Sequence, residues 1–523
     1  MARHHGWFGD PAIWAAVQLP TAGSLGVVIC TPLGQEGVVA YRGLRLLADQ
    51  LEQRGIASVR YDPPGRGDGA PSDDPQAPVN GARSAAALLR AAGCTQVAFV
   101  GLSSAALLAS AAAEPGDLVV LWSPPQSGRQ WLRRARSLAT IMIGADRTFE
   151  GVESLIGIDL TPDQATALAS ISLTLPGEAD ALVVRRPGES APSALAAAEQ
   201  LELAGTAEFL DTSSVSSVMP TEIIATIVDW LAARVIDSAQ VLSAPPVADE
   251  LDLGNAVERV RWIGPQRLFA IECLPKAATP ATPMVVLHAG ASEHRVGAGD
   301  YQVELARLLA GDGAGSLRVD RRGAGETGEV SADEPSLFYT QAWLEDQDAI
   351  VQASGVTGER LALTGLCAGA WMAGLPTAAE PRLVVGIHPL EYRVDPAAPN
   401  EFVEEVVMPR EVSGRVMLWV QRMYRRWAPA WLRRLRARTG SKADPAAFLT
   451  GLSKRTWRTT LIFSEIDQEV FRRLGGPEIS QRLPGIVLVD VPTIDHPMFA
   501  RRTRVGVVER IRADVREAFD LAG

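Results

Sequence analysis

Residues 363–374 read LTGLCAGAWMAG and set Cys367 between Gly365 and Gly369. A Gly-x-nucleophile-x-Gly frame lets a chain turn sharply from a strand into a helix, lifting the central side chain clear of the sheet. A thiol so placed stands at a helix N-terminus, which favours the thiolate. It becomes a nucleophile if a base takes its proton and a third group orients that base. Six histidines bound the search. His4 and His5 lie in an N-terminal tail with no expected role. His288 ends the apolar run MVVLH and His294 lies in the loop after it. His388 follows LVVGIH, and His496 falls between the run GIVLVDV and the helical stretch VGVVERIRADVREAF. Buried free cysteines are often plain core residues, so the elbow alone does not select a base.

The elements around these residues occur twice. GVVICTPLGQEGVVAYRGLRLLADQLEQRGIASVRYDPPGRGDG and MVVLHAGASEHRVGAGDYQVELARLLAGDGAGSLRVDRRGAGETG each give an apolar strand, a Gly-containing loop, an amphipathic helix, a strand and a Gly-rich Asp turn. Val27 and Asp62 stand at the same separation as Val285 and Asp320. Each copy continues to a buried strand and an elbow, with Ser103 in the first and Cys367 in the second. Strands alternating with helices predict βαβ units and a mostly parallel sheet. The fold class expected is α/β, as two tandem doubly wound domains covering 1–240 and 241–523, with a junction near 236–252. The stretch ERVRWIGPQRLFAIECLP after the junction predicts a hairpin opening the second sheet.

The strand, Asp turn and elbow resemble the α/β-hydrolase superfamily. FGDP, the PLG of TPLGQE and YRGLRLLA are similar to the bacterial serine aminopeptidase-like and exosortase-associated hydrolases. EHRVG and GLCAGAW resemble cysteine-elbow members of that group. The resemblance implies two α/β-hydrolase-like domains, each with a helical cap insertion. It also implies that the base is His496, on the loop after the last strand, and that the acid is Asp467, after the strand TTLIFSEID, with Glu465 as a near alternative. The resulting order, Cys367, Asp467, His496, is the nucleophile, acid, base order of that fold. Asp495 is expected to support the loop. The oxyanion hole is expected from the backbone N–H of Ala368 with that of Gly290 or Ala291. By resemblance His294 and Arg295 contact substrate, although Arg295 could equally pair with a carboxylate. The first copy has Ser103 without a histidine after His5, so it is expected to be catalytically degenerate, a scaffold or part of a substrate cleft.

The chain's 523 residues, 47% hydrophobic and 21% charged, suit large globular domains rather than a disordered or fibrous protein. A net charge of −11 argues against binding nucleic acid through the overall field. Cys30, Cys94, Cys273 and Cys367 show no paired spacing, so a reducing compartment is expected and no zinc framework. The start MARHHGWFGD lacks a secretory apolar run, and the expected location is cytoplasmic. An insertion at about 395–455 carries Arg415, Arg422, Arg425, Arg426, Arg433, Arg434, Arg436 and Arg438 with Trp419, Trp427 and Trp431. It reads as a basic, Trp-rich cap that could hold coenzyme A or an acyl carrier protein. It reads equally as a solvated face or, less favoured, a membrane-surface contact. Together these features point to a cysteine-dependent hydrolase or acyltransferase acting on an acyl ester or thioester through an acyl-cysteine, with no metal and no organic cofactor. A cysteine peptidase trimming a peptide and a non-catalytic scaffold are the alternatives.

Overall fold

Alternate residues of each central strand feed opposite core layers. Val28 and Cys30 belong to one layer of the first half and Val27 and Ile29 to the other; Val286 lies on one side of the second sheet, Val285 and Leu287 on the other. This is the period-two signature of a sheet covered by helices on both faces, and it explains why the strands read as unbroken apolar runs. The computed structural model describes all residues except 1, 178, 191, 212–216, 237–239, 292, 330–338, 395–444, 492, 494 and 522–523. Most of the expected basic cap lies outside the described residues. The part that is described includes the helix Pro445–Arg455.

The first sheet contains β1 (Ala2–Gly9), β2 (Ala12–Leu19), β3 (Leu25–Cys30), β4 (Ala57–Asp62), β5 (Gln96–Leu102), β6 (Leu118–Trp122), β7 (Ala181–Arg185) and β8 (Glu199–Glu202). They lie in the order β1-β2-β4-β3-β5-β6-β7-β8. The second contains β9 (Glu250–Asp252), β10 (Ala256–Ile263), β11 (Leu268–Pro275), β12 (Met284–His288), β13 (Gly315–Val319), β14 (Leu361–Leu366), β15 (Leu383–Ile387), β16 (Arg458–Phe463) and β17 (Ile486–Asp490). Apart from the added edge strand β9, its order, β10-β11-β13-β12-β14-β15-β16-β17, repeats the first. Both sheets open with antiparallel pairs and continue parallel from the strand before the Asp turn. The chain is therefore α/β, with two doubly wound sheets of the same strand order in tandem. The hairpin expected after the junction is β10 and β11.

The first insertion carries the helices expected of a cap and, between them, a small sheet. Between β6 and β7 it has the helix Gly128–Ile143, a three-stranded antiparallel sheet and the helix Pro162–Ser170. The cause is local: Glu150 and Gly151 both have positive φ, 51° and 79°, which makes the two-residue hairpin turn between Phe149 and Val152. This sheet reaches the second half, where Ser154 Oγ accepts from the Arg501 N–H at 2.8 Å and Asp159 accepts from Arg504.

The two Asp turns meet face to face. Arg60 and Asp68 occupy the places in the first copy that Arg318 and Glu326 occupy in the second, and each arginine pairs with the other copy's acid. Arg60 makes a bidentate pair with Glu326 at 2.7 and 2.8 Å, and Arg318 pairs with Asp68. Trp14 packs edge-on against Phe269, its counterpart beside the other turn, with ring centroids 6.0 Å apart. Such a reciprocal exchange is what a two-fold interface between identical subunits shows, here within one chain. His5, expected in an idle tail, is instead in β1 and half-buried, with Nε2 at 3.2 Å from Glu326.

Candidate active site

Cys367 leaves β14 with φ 54° and ψ −109° and opens the helix Ala368–Gly374. A non-glycine residue at positive φ is strained, and small neighbours make the conformation tolerable. A Cβ on Gly365 would lie 2.3 Å from the carbonyl carbon of Gly369, and one on Gly369 would lie 2.6 Å from the oxygens of His288 and Ala289. Both positions must therefore be glycine for the elbow to sit against the end of β12. The Cys367 N–H donates to the Ile387 oxygen at 2.8 Å, tying the turn to β15.

His496 arrives from the loop after β17. Its Nδ1 lies 2.9 and 2.8 Å from the two carboxylate oxygens of Asp467, and its ring is also hydrogen-bonded to Cys367. A carboxylate only accepts, so Nδ1 carries a proton. Asp467 is fixed in turn. It lies in the first turn of the helix Glu465–Arg473, whose N-cap Ser464 accepts from the Asp467 N–H and donates to its carboxylate at 2.6 Å. Asp467 is buried, whereas Glu465 is exposed, so the alternative acid does not face the histidine. Burial disfavours the charged imidazole, but the hydrogen bonds to Asp467 and Cys367 outweigh it and raise the His496 pKa to about 10. Asp495 accepts from the N–H groups of Phe499 and Ala500 at 2.8 and 2.6 Å, holding the loop.

Three further side chains at this site were not assigned from the sequence. His388, fully buried after β15 with φ 48°, donates Nδ1–H to the His496 main-chain oxygen at 2.7 Å. Burial lowers its pKa, so it acts as a neutral prop under the catalytic loop. His388, Asp467 and His496 offer atoms within 4.8 Å of one another, as a metal site would. Here that closeness is used for hydrogen bonds: both Nδ1 atoms face oxygen acceptors. The hydroxyl of Tyr339 is hydrogen-bonded to Cys367, and burial keeps that phenol protonated. Glu293 is buried beside the elbow, where its carboxylate accepts from the Gly290 N–H and its pKa is raised by burial to about 7.

The last contact bears on the expected oxyanion hole. Ala368 opens its helix, so its N–H has no intrahelical acceptor, and Ala291 lines the cleft beside Cys367. Gly290 is different, because its amide is already engaged by Glu293. Of the two readings open for Arg295, substrate contact does not fit and pairing with a carboxylate does. Arg295 has no exposed side-chain surface. It pairs with Asp68 and Asp320 at 2.7 Å each, and its guanidinium stacks over Trp14 and Phe269 at 4.3 and 4.5 Å. It is a bolt between the halves, because a buried guanidinium needs full charge pairing. His294 stacks on Tyr41 with centroids 4.1 Å apart and borders a separate small cavity, away from Cys367.

Cys367 and His496 open into a cleft of about 880 Å³ lined by both halves. From the first half come Leu33, Gln35, Glu36, Val39 and the helix bearing Trp131; from the second, Leu366, Leu390 and Phe499.

The sequence matches no family model and no curated protein. Among solved structures the chain is similar to a dienelactone hydrolase from Anabaena variabilis (13% identity over 51% of this chain and 97% of that one, TM-score 0.32). It is similar to an acetyl xylan esterase from Paenibacillus sp. R4 (19%, 50% and 87%, TM-score 0.32). A third is a putative dipeptidyl aminopeptidase IV from Bacteroides ovatus (14%, 53% and 37%, TM-score 0.33). No helix among the described residues is long and apolar enough to cross a membrane.

Proposed function

We propose that the protein is a cysteine-dependent hydrolase or acyltransferase whose second half attacks an acyl ester or thioester through an acyl-Cys367 intermediate. The observation that carries this reading is the chain of contacts Cys367, His496, Asp467 on a strained elbow at an apolar cleft. With its pKa at about 10, the imidazole is cationic at neutral pH, so the proton is already on His496 when the substrate binds. The sulfur attacks the carbonyl carbon, and the C–O or C–S bond to the leaving group breaks as His496 Nε2–H protonates that group. Neutral His496 then takes a proton from the incoming water, alcohol, thiol or amine, which attacks the acyl-thioester and releases Cys367. The oxyanion is held by the Ala368 amide and by Ala291 or by Gly290 once Glu293 lets go, with the Tyr339 phenol as a further donor in reach. Asp467 keeps Nδ1 protonated, and His388 fixes the loop.

The apolar walls favour an acyl substrate over a peptide, whose amides would each need a partner. The scaffold alternative requires His496 to be out of reach of Cys367, which the hydrogen bond between them disfavours. The first half is assigned no catalysis: Ser103 Oγ donates to Glu36 at 2.8 Å, and Ser104 Oγ takes the Leu33 N–H at 2.8 Å. The test is incubation with activated esters, acyl thioesters and peptides, followed by intact mass and product release. An acyl adduct is expected on wild type, absent in Cys367→Ala and slowed about 10²–10⁴-fold in His496→Ala. Turnover without dependence on Cys367 would sink the mechanism.

A further inference from the structure

We propose that the first half, having no base of its own, is the binding site for an aliphatic acyl chain whose carbonyl lies at Cys367. This deepens the acyl-cysteine reading and rests on it. The cleft of about 880 Å³ is at the upper end of small-molecule sites, far more than a short acyl group fills. Among the described residues the first half supplies most of its wall, including the apolar Leu33, Val39, Trp131, Ala135 and Leu155.

The polar groups on that wall are largely spent on one another. Glu36 accepts from Ser103 at 2.8 Å and from Ser104 and Trp131 at 3.4 Å each. Arg134 pairs with Asp211 at 3.4 Å on the exposed rim. The Gln35 amide oxygen is the exception, a buried acceptor without a partner among the described residues that can take one donor. A substrate rich in hydrogen-bonding groups would lose more water there than this one acceptor replaces, whereas methylenes lose nothing. A second observation lies at the mouth. On the helix Gly128–Ile143, Leu138, Ile141 and Met142 are 48%, 76% and 45% exposed, a cluster of large apolar side chains at the edge of the same cleft. Exposed apolar clusters of this kind mark binding surfaces, and this one leads to a nucleophile.

The full-length protein is assayed with N-acetylcysteamine thioesters from acetyl to dodecanoyl, as wild type, Ala135→Trp and Leu138→Glu. Wild-type kcat/KM is expected to rise about fourfold per added methylene until the cleft is filled. Ala135→Trp displaces at least two methylenes, so the octanoyl-to-acetyl ratio falls by about tenfold or more. Leu138→Glu, already exposed and so tolerant of charge, lowers the ratio for the longest chains. In parallel, calorimetry follows 2-alkanones of matching length binding to Cys367→Ala, which reads the chain site without the chemistry. A flat series, or a ratio unchanged in both wall variants, with acyl-Cys367 still forming, overturns the chain site alone. No adduct with any thioester overturns the acyl-cysteine reading, and the 2-alkanone series then decides the chain site by itself.

Discussion

Ser103 and Cys367 stand on the same kind of turn at matching places in the two sheets, with φ of 50° and 54°, and each N–H donates to the next parallel strand at 2.8 Å. What differs is everything that the turn presents to a substrate. Cys367 meets a histidine, backed by a buried aspartate. Ser103 donates to Glu36 instead of facing a histidine, and Ser104 fills the amide that corresponds to Ala291. The elbow is thus a matter of packing and persists without chemistry. Among the described residues a histidine backed by an aspartate reaches the elbow only in the second half, and the proposed division of labour rests on that, with the first half lending apolar wall to the shared cleft.

The comparison is broken most strongly at Asp467. Asp467→Asn keeps the shape but removes the charge and lets Nδ1 lose its proton. Acyl turnover is expected to fall about 10³–10⁴-fold, and the unfolding midpoint falls as well because the imidazolium of His496 loses its buried charge partner. Steady-state rates with one activated ester, read beside thermal unfolding, check this. A loss below tenfold would mean that the two elbows differ less than the contacts say.

How far the sequence reveals this depends on the range of the interaction. The repeated strand, Asp turn and elbow are legible because each is a local pattern: apolar runs, glycines at forced positions and an Asp at fixed spacing. The order Cys367, Asp467, His496 is legible only through the resemblance to the α/β-hydrolase superfamily, which implies the loops that carry acid and base. Glu36 under Ser103, His388 under His496 and Tyr339 on Cys367 are not, since each joins distant segments that no spacing connects. Arg295 is legible only as two open readings, substrate contact by resemblance or pairing with a carboxylate, and the distant Asp68 and Asp320 that decide for the second are joined to it by no spacing. The three-stranded sheet of the first insertion is foreshadowed only by Gly151 and Gly157, whose φ of 79° and 73° permit its turns.

The shared interface makes the next largest effect. Glu326 is buried, and although burial alone would raise its pKa, Arg60 holds it well below the usual carboxylate range. Glu326→Ala leaves Arg60 and His5 without their partner and is expected to cost about 3–5 kcal/mol. Asp68→Ala does the same to Arg318 and Arg295 from the other side. If denaturant unfolding shows both losses as one cooperative transition, the halves unfold together; two separated transitions would show that the exchange of acids couples them weakly.

A smaller effect separates the elbows by pH. His496 in the folded protein is raised from 6.5 to about 10, so between those values the folded state binds a proton that the unfolded chain has lost. The resulting stabilisation is complete below pH 6.5 and fades as pH rises towards 10. Wild type and His496→Gln, compared by denaturant unfolding from pH 6 to 10, should therefore converge as pH rises. Divergence would mean that the imidazole is neutral in the folded state.

The smallest effect is expected at Ser103, and it is the sharpest test of the division of labour. Ser103→Ala removes one hydrogen bond to Glu36, which keeps its longer contacts with Ser104 and Trp131. Stability is expected to drop by about 0.5–1.5 kcal/mol, the worth of one such bond. Turnover of an acetyl thioester should stay within about twofold, since no step routes through this hydroxyl. The converse variant, Ser103→Cys, puts the better nucleophile on the same strained turn. Its thiol still faces Glu36 rather than an imidazolium, and the Leu33 amide is still taken by Ser104. Iodoacetamide should then label Cys367 in preference to position 103, read by peptide mass. Equal labelling would show that the elbow alone activates a thiol, and the difference between the halves would have to lie in the acyl-binding wall instead.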